Sequence, residues 1–276
     1  MNKVSIQGYR GSFHDIVARE KFTDDAEIIE RSDFHKVFED VRSGLADFGV
    51  VAIENSIVGS FLENYDLLLE YDLEIVGELY LRIVLNLMVL PSVKLKDVDQ
   101  VYTHPRAIQQ CLSFLDKHPK IKRIETDDTA GSAKMIKEMG LRNAAAVASS
   151  LAAEIYEMEI LARGIETDKK NYTRFLIISR DAQYSEQADK TSLVIQTEHR
   201  PGSLCECLKC FADEGVNLSK IESRPIIGKV WHYYFYLDVE AGRDAPEAKR
   251  ALRELNKIAS MVKILGSYER GYFVKK

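Results

Sequence analysis

From Leu73 to Val89 the apolar residues Leu73, Ile75, Leu79, Leu81, Ile83, Leu85, Leu87 and Val89 fall on odd positions, while Glu74, Glu78, Arg82 and Asn86 fall on even ones. A period of two marks extended chain whose alternate side chains meet a core, so this stretch reads as strand and not helix. The run is too long for one ordinary strand of one sheet, and the simplest account is that it leaves a first sheet and enters a second in its middle. The same polar interruptions argue against a membrane span.

Short apolar strands alternate with amphipathic helices on both sides of this run. Before it come Val4 to Gln7 with a helix from Ser12, Glu27 to Arg31 with one from about Phe34, and Phe48 to Ile53 with one from about Phe61. After it come Val98 to Tyr102 with a helix at Pro105, Ile121 to Glu125 with one near Thr129, and Ala144 to Val147 with one near Ser149. Such alternation is the pattern of βαβ units and largely parallel sheets. Beyond Ile160 a polar loop, Gly164 to Lys170, leads to a last strand, Thr173 to Ile178. If that strand rejoins the first sheet, the chain builds an α/β fold of two lobes around a cleft; the alternative is one continuous doubly wound sheet. Lobe 1 would cover about 1–80 plus 165–180 and lobe 2 about 81–164.

After Ser179 a polar stretch through Asp189 reads as a linker. The remainder reads strand Thr191 to Thr197, helix Gly202 to about Glu214, strands Asn217 to Pro225 and Val230 to Val239, helix Pro246 to about Ile258, strand Val262 to Tyr268. That order, βαββαβ, is ferredoxin-like. The chain is thus expected to divide at about residue 180, into 1–180 and 181–276.

With 276 residues, 46% hydrophobic and 29% charged, the composition is globular, and a net charge of -5 without a long basic run excludes a nucleic-acid footprint and electrostatic recruitment to membranes. The sequence opens directly into Lys3-Val4-Ser5-Ile6-Gln7 with no apolar signal segment, so a soluble cytoplasmic protein is expected. Cys205, Cys207 and Cys210 share a predicted helix; inert thiols are the stronger reading there, and a zinc site completed by His199 the weaker.

Ligands of open α/β sheets bind beyond the carboxyl ends of strands, where helices begin. Those junctions read Gly8-Tyr9-Arg10-Gly11-Ser12, Glu54-Asn55-Ser56, Thr103-His104-Pro105, Asp127-Asp128-Thr129-Ala130 and Ser149-Ser150. Each is explained singly by helix capping; together, in two lobes, they favour a cleft for a small anion. The first junction lacks the G-x-G-x-x-G spacing, so no dinucleotide is inferred. In Asn171-Tyr172-Thr173-Arg174-Phe175, Thr173 and Arg174 point to opposite faces of an extended segment, so one can face a pocket while the other supports it.

The ordered set Glu54-Asn55-Ser56, Thr103-His104-Pro105 with Gln109-Gln110-Cys111, Asp128-Thr129-Ala130 and Thr173-Arg174-Phe175 resembles prephenate dehydratase over residues 1 to about 180. Arg200-Pro201-Gly202-Ser203-Leu204, Asn217-Leu218 and Glu222-Ser223-Arg224-Pro225 resemble an ACT regulatory domain. The chain departs from the dehydratase pattern at Tyr9, where proline is common, at His14, where serine is common, at Thr103 in place of serine, and at Arg106, where glutamine is common.

The resemblance implies a periplasmic-binding-protein-like catalytic domain followed by an ACT domain. It also implies a carbon–oxygen lyase that converts prephenate to phenylpyruvate in phenylalanine biosynthesis, without metal or cofactor. Thr173 would hydrogen-bond the leaving hydroxyl, Arg174 would lie near the substrate or hold the Thr173 loop, and His104, then Glu54, would be the titratable groups for net protonation. Ser12, Asn55, Ser56, Thr103, Gln110, Thr129 and Phe175 would bind or line the substrate. L-phenylalanine would bind at Pro201, Gly202, Ser203, Leu204, Asn217, Leu218, Glu222 and Ser223, as feedback inhibitor between paired regulatory domains of a homodimer or homotetramer. Arogenate as substrate, a solute-binding module and a catalytically dead amino-acid sensor remain as alternatives.

Overall fold

The computed structural model describes residues 1–23, 26–181 and 185–274. Residues 182–184 of the predicted linker, and the last two residues of the predicted C-terminal domain, lie outside them. The chain forms two compact units: residues 1–64, 79–175 and 273–276 make the first, and 65–78 with 176–272 the second.

The first half runs β1 (Lys3–Gln7), α1 (Phe13–Phe22), β2 (Glu27–Arg31), α2 (Phe34–Ser43), β3 (Phe48–Asn55), β4 (Gly59–Ser60), α3 (Leu62–Glu70), β5 (Glu74–Arg82) and β6 (Asn86–Val89). There follow β7 (Gln100–Thr103), α4 (Pro105–Gln110), α5 (Leu112–Leu115), β8 (Lys122–Glu125), α6 (Thr129–Met139), β9 (Ala144–Ala148), α7 (Ser150–Ile155), β10 (Glu159–Ala162) and β11 (Tyr172–Ser179). The second unit adds β12 (Lys190–Gln196), α8 (Ser203–Asp213), β13 (Leu218–Pro225), β14 (Tyr233–Val239), α9 (Pro246–Ile258) and β15 (Met261–Tyr268), and the described chain closes with β16 (Phe273–Val274).

The period-two run does divide between sheets. β5 lies in a sheet ordered β16-β5-β11-β3-β1-β2, with β4 on β3, and β6 in a second ordered β10-β6-β9-β7-β8. β1 pairs in parallel with β2 and β3, as β7 does with β8 and β9. The last strand, β11, rejoins the first sheet, so the two-sheet reading holds over the single doubly wound sheet. Central strands are buried on both faces: Val50, Val51 and Ile53 of β3 and Ala145 to Ala148 of β9 are wholly inaccessible.

The break at residues 83–85 is held by polar groups. Ile83 N–H donates to Asn171 O (2.8 Å) and Ile165 N–H to Leu85 O (2.7 Å). The buried Glu166 carboxylate accepts Leu85 N–H at 3.0 Å and faces Arg82 (3.6 Å) and Lys169 (3.4 Å). One carboxylate thus ties together both passages of the chain between the sheets. The period-two pattern does not reveal this break, because Ile83 and Leu85 stay buried within the crossover.

In the second unit the sheet is ordered β13-β14-β12-β15, antiparallel throughout, as a ferredoxin-like βαββαβ chain requires. Leu193, Ile195, Leu237 and Val239 pack with Phe211 and Cys207 of α8 and Ala248, Ala251 and Leu255 of α9. Burial pushes the Cys207 thiol up to about 11, that of an inert core thiol, whereas Cys205 is exposed. No helix among the described residues is long and apolar enough to cross a membrane.

Candidate active site

The first unit brings the strand-to-helix junctions of its two sheets against each other. Ser149 Oγ, capping α7 through Ala152 N–H (3.0 Å), donates to Gly11 O at 2.5 Å, and Tyr156 Oη donates to Arg10 O at 2.9 Å. Gly11 has φ +85°, and a Cβ there would stand 2.7 Å from Ala152 Cα. Asp128 caps α6 through Gly131 N–H (2.7 Å); a Cβ on Gly8 would lie 2.6 Å from its Oδ2. Burial raises the Asp128 carboxyl, with backbone N–H groups opposing the rise. The Tyr9 ring reaches Gly131, where a Cβ would come within 2.7 Å of its Cδ2, and carries Lys134 Nζ 4.7 Å from its centroid. Tyr9 therefore bears on how the two sheets approach.

Asn55 organises the next wall. Its Oδ1 accepts Ile57 and Val58 N–H (3.0 Å each), which fixes the amide orientation and aims Nδ2 at Asn171 Oδ1 (2.7 Å), Tyr172 O (3.1 Å) and Thr173 Oγ1 (2.9 Å). The Thr173 oxygen thus already accepts one bond, and among the described residues no protein acceptor takes its proton. Ser56 Oγ donates to Lys170 O (2.9 Å) and accepts Tyr172 N–H (3.0 Å), fastening the same loop to β11. Arg174 is buried on the opposite face of β11.

His104 caps α4: its Nδ1 accepts Arg106 N–H at 3.2 Å, so the ring hydrogen belongs on Nε2. Partial burial first, then the charge of Arg106, lower its proton affinity, and near neutrality the ring is an uncharged N–H donor. The Arg106 guanidinium lies 4.5 Å from the centroid of Phe61, at the end of the loop that Asn55 begins.

Other predicted residues fall in different places. Glu54 is half-buried and pairs with Ser60 in the β3–β4 ladder. Thr129 opens α6 behind Asp128, and Gln110 ends α4 with its carbonyl accepting Thr167 N–H (2.7 Å). Ser12 is buried, its Oγ accepting Asp15 N–H as the α1 cap. Thr103 is fully buried and donates to Val147 O at 2.7 Å, holding β7 to β9, and Phe175 is a core ring packed edge-on to His14 at 5.1 Å.

In the second unit Gly202, at φ +85°, caps α8, and the exposed Pro201 precedes it. Ser203 Oγ donates to Glu198 O (2.7 Å), Leu204 packs on the core, and the exposed Asn217 donates to Glu240 (3.0 Å). Leu218 also packs on the core. Along β13 burial alternates, so Glu222 and Ser223 point to opposite faces and do not converge from one chain. Among the described residues no three His, Cys, Asp or Glu side chains gather as metal ligands.

Tyr156 and Glu166 stand outside the sequence motifs, whereas Asp128 and Asn171 lie within them without a role assigned from sequence. Asn171 was legible as the first residue of the Thr173 strand; the others act through backbone atoms that residue spacing does not reveal.

A family described as "Prephenate dehydratase" matches residues 4–183, and one described as "ACT domain" matches 191–257. "Arogenate dehydratase/prephenate dehydratase 2, chloroplastic" of Arabidopsis thaliana is 40% identical over 96% of this chain and 72% of its own. A prephenate dehydratase from Arthrobacter aurescens, solved in complex with L-Phe, is similar at TM-score 0.87 and 32% identity, over 97% of this chain and 90% of that one. A structure described as a novel type of quorum quenching acylase, GqqA, is similar at TM-score 0.88 and 32% identity, over 97% and 98%.

Proposed function

Because this chain belongs to the prephenate dehydratase family and carries an ACT domain behind the dehydratase domain, we propose that it is a lyase converting prephenate to phenylpyruvate under feedback by L-phenylalanine. Prephenate loses carbon dioxide and its ring hydroxyl as the ring becomes aromatic, and the hydroxyl needs a proton to leave as water. The reaction asks for tethering of one carboxylate, desolvation of the other and a hydrogen bond to the departing oxygen. It asks for no nucleophile.

The observation that carries this reading is the Asn55–Thr173 contact. Because Asn55 occupies the Thr173 oxygen as a donor, the hydroxyl proton is free for a substrate oxygen. A threonine hydroxyl is too weak an acid to surrender that proton, so it stabilises the leaving group while water or a titratable neighbour completes the transfer. In this reading His104 serves at neutral pH as an uncharged Nε2–H donor, which leaves Glu54 or water as the proton source. Asn55, Ser56 and Arg174 position β11, Gln110 and Thr129 stand at the rim, and Ser12 acts through its helix.

The division into a catalytic domain over 1–180 and a regulatory domain over 181–276, out of which β16 returns to the first sheet, a cytoplasmic location and a homodimer or homotetramer belong to the same proposal. So does phenylalanine at the Pro201–Leu204 turn and Asn217–Leu218, with Glu222 or Ser223 contributed from opposite faces of β13. Phenylalanine inhibits only if it binds the inactive arrangement better than the active one.

The test is steady-state turnover of prephenate and of arogenate, each with and without phenylalanine. Prephenate turnover suppressed by phenylalanine is expected, and Thr173→Ala should lose about 10²–10³-fold in kcat while still binding phenylalanine. Turnover in that variant close to wild type would remove Thr173 from the reaction. No turnover of either substrate would favour an amino-acid sensor.

A further inference from the structure

We propose that Arg106 is the residue that selects a dianionic keto acid over its amino analogue, by taking the side-chain carboxylate of the substrate at the rim of the cleft. The inference rests on the dehydratase reading above and adds the residue that sets substrate preference.

Three observations carry it. First, Arg106 is exposed and, among the described residues, its guanidinium has no carboxylate partner; its anchor is the Phe61 ring, 4.5 Å away. A guanidinium seated on an aromatic face keeps the N–H groups along its edge free for a planar, two-point acceptor such as a carboxylate. Second, the contact joins the two sheets of the first unit, since Arg106 begins α4 beside β7 and Phe61 follows β4 beside β3. The charge therefore stands where the walls meet.

Third, Phe61 and the Thr173 hydroxyl are ordered by one loop. Phe61 N–H donates to Ile53 O (3.0 Å), two residues along β3 from Asn55, whose amide holds Thr173. The ring hydroxyl of the substrate is seated at Thr173 and its side chain at Arg106, the groups held at the two ends of this one loop.

At that end the two substrates differ in charge. Prephenate presents a keto group beside the carboxylate, and arogenate presents an ammonium. A guanidinium attracts the first pair of groups without opposition, whereas it repels the ammonium of the second, so one fixed charge both attracts one substrate and rejects the other. A glutamine at this position would offer hydrogen bonds to both and discriminate by charge against neither.

The experiment compares wild type, Arg106→Gln and Phe61→Leu on both substrates, at low and at high ionic strength. Arg106→Gln should raise KM for prephenate about tenfold with kcat within threefold, and change kcat/KM for arogenate less than threefold, so that the preference shrinks. Phe61→Leu should give a smaller change of the same sign, and salt should weaken prephenate binding in wild type more than in Arg106→Gln. Equal losses on both substrates, or an unchanged ratio in a folded Arg106→Gln protein that still turns over, would overturn the assignment while leaving the dehydratase reading intact. Wild type inactive on both would overturn that reading and the inference with it.

Discussion

Five atoms around Asn55 show how a residue can be visible in a sequence while its task is hidden. Asn55 and Thr173 stood out by residue type, but their direct bond spans 118 positions and no local pattern announces it. His14 is a contrasting case. It occupies a helix position that burial claims: its ring is wedged edge-on between Phe34 (5.4 Å) and Phe175 (5.1 Å), and among the described residues its Nε2 has no hydrogen-bond partner. Burial lowers its pKa from 6.5 to about 3. The folded state therefore holds His14 neutral while the unfolded chain protonates it. Its contribution is complete above about pH 6.5 and is lost as the pH falls from there toward 3. At pH 5 the loss is about 2 kcal/mol. Urea unfolding at pH 7.5 and pH 5 should show His14→Leu losing about that much less than wild type; equal losses would mean that the histidine is hydrated or protonated in the fold.

The elements were the most legible layer, because strand–helix alternation repeats six times and most helix starts carry a capping side chain. What escaped was set by partners. β10 and β16 are runs of four and two residues that become strands because β6 and β5 offer them free edges; the crossover itself was expected from the length of the run, and only its place at 83–85 is set by Glu166 and Asn171 from far along the chain. The junctions also show why glycine recurs in the first one. At Gly11 the backbone is left-handed and faces Ala152, so Gly11→Ala adds both a strained φ and a clash with backbone. It should cost about 2–3 kcal/mol. It should also lower kcat/KM by moving one wall of the cleft, a change read by chemical unfolding beside steady-state kinetics. Gly59, where a Cβ meets nothing within 4 Å, is the control: Gly59→Ala carries the strain alone.

Across the whole molecule, the family and the ferredoxin-like unit were readable from motifs and strand order, whereas the way the chain closes was not. The second unit contains a charge cluster that no motif marks: Lys190 Nζ lies 3.0 Å from both oxygens of Glu78 and 3.8 Å from Asp238, all nearly inaccessible. Lys190→Met would strand two buried carboxylates, at a cost of about 3–5 kcal/mol. The expected result is a sharply lowered Tm, partly restored by adding Glu78→Gln; a Tm within a degree or two of wild type would show that water reaches the cluster. Just beyond Gly271, whose N–H donates to the same Glu78 (3.2 Å), β16 pairs in parallel with β5, and Phe273 stacks on Tyr80 at 5.1 Å. The ferredoxin-like fold is thereby spliced into its host by two stitches instead of hanging from one. A graft that exchanges this domain with a relative's must match both seams, and a cut after residue 180 would strip a strand from the host along with the guest.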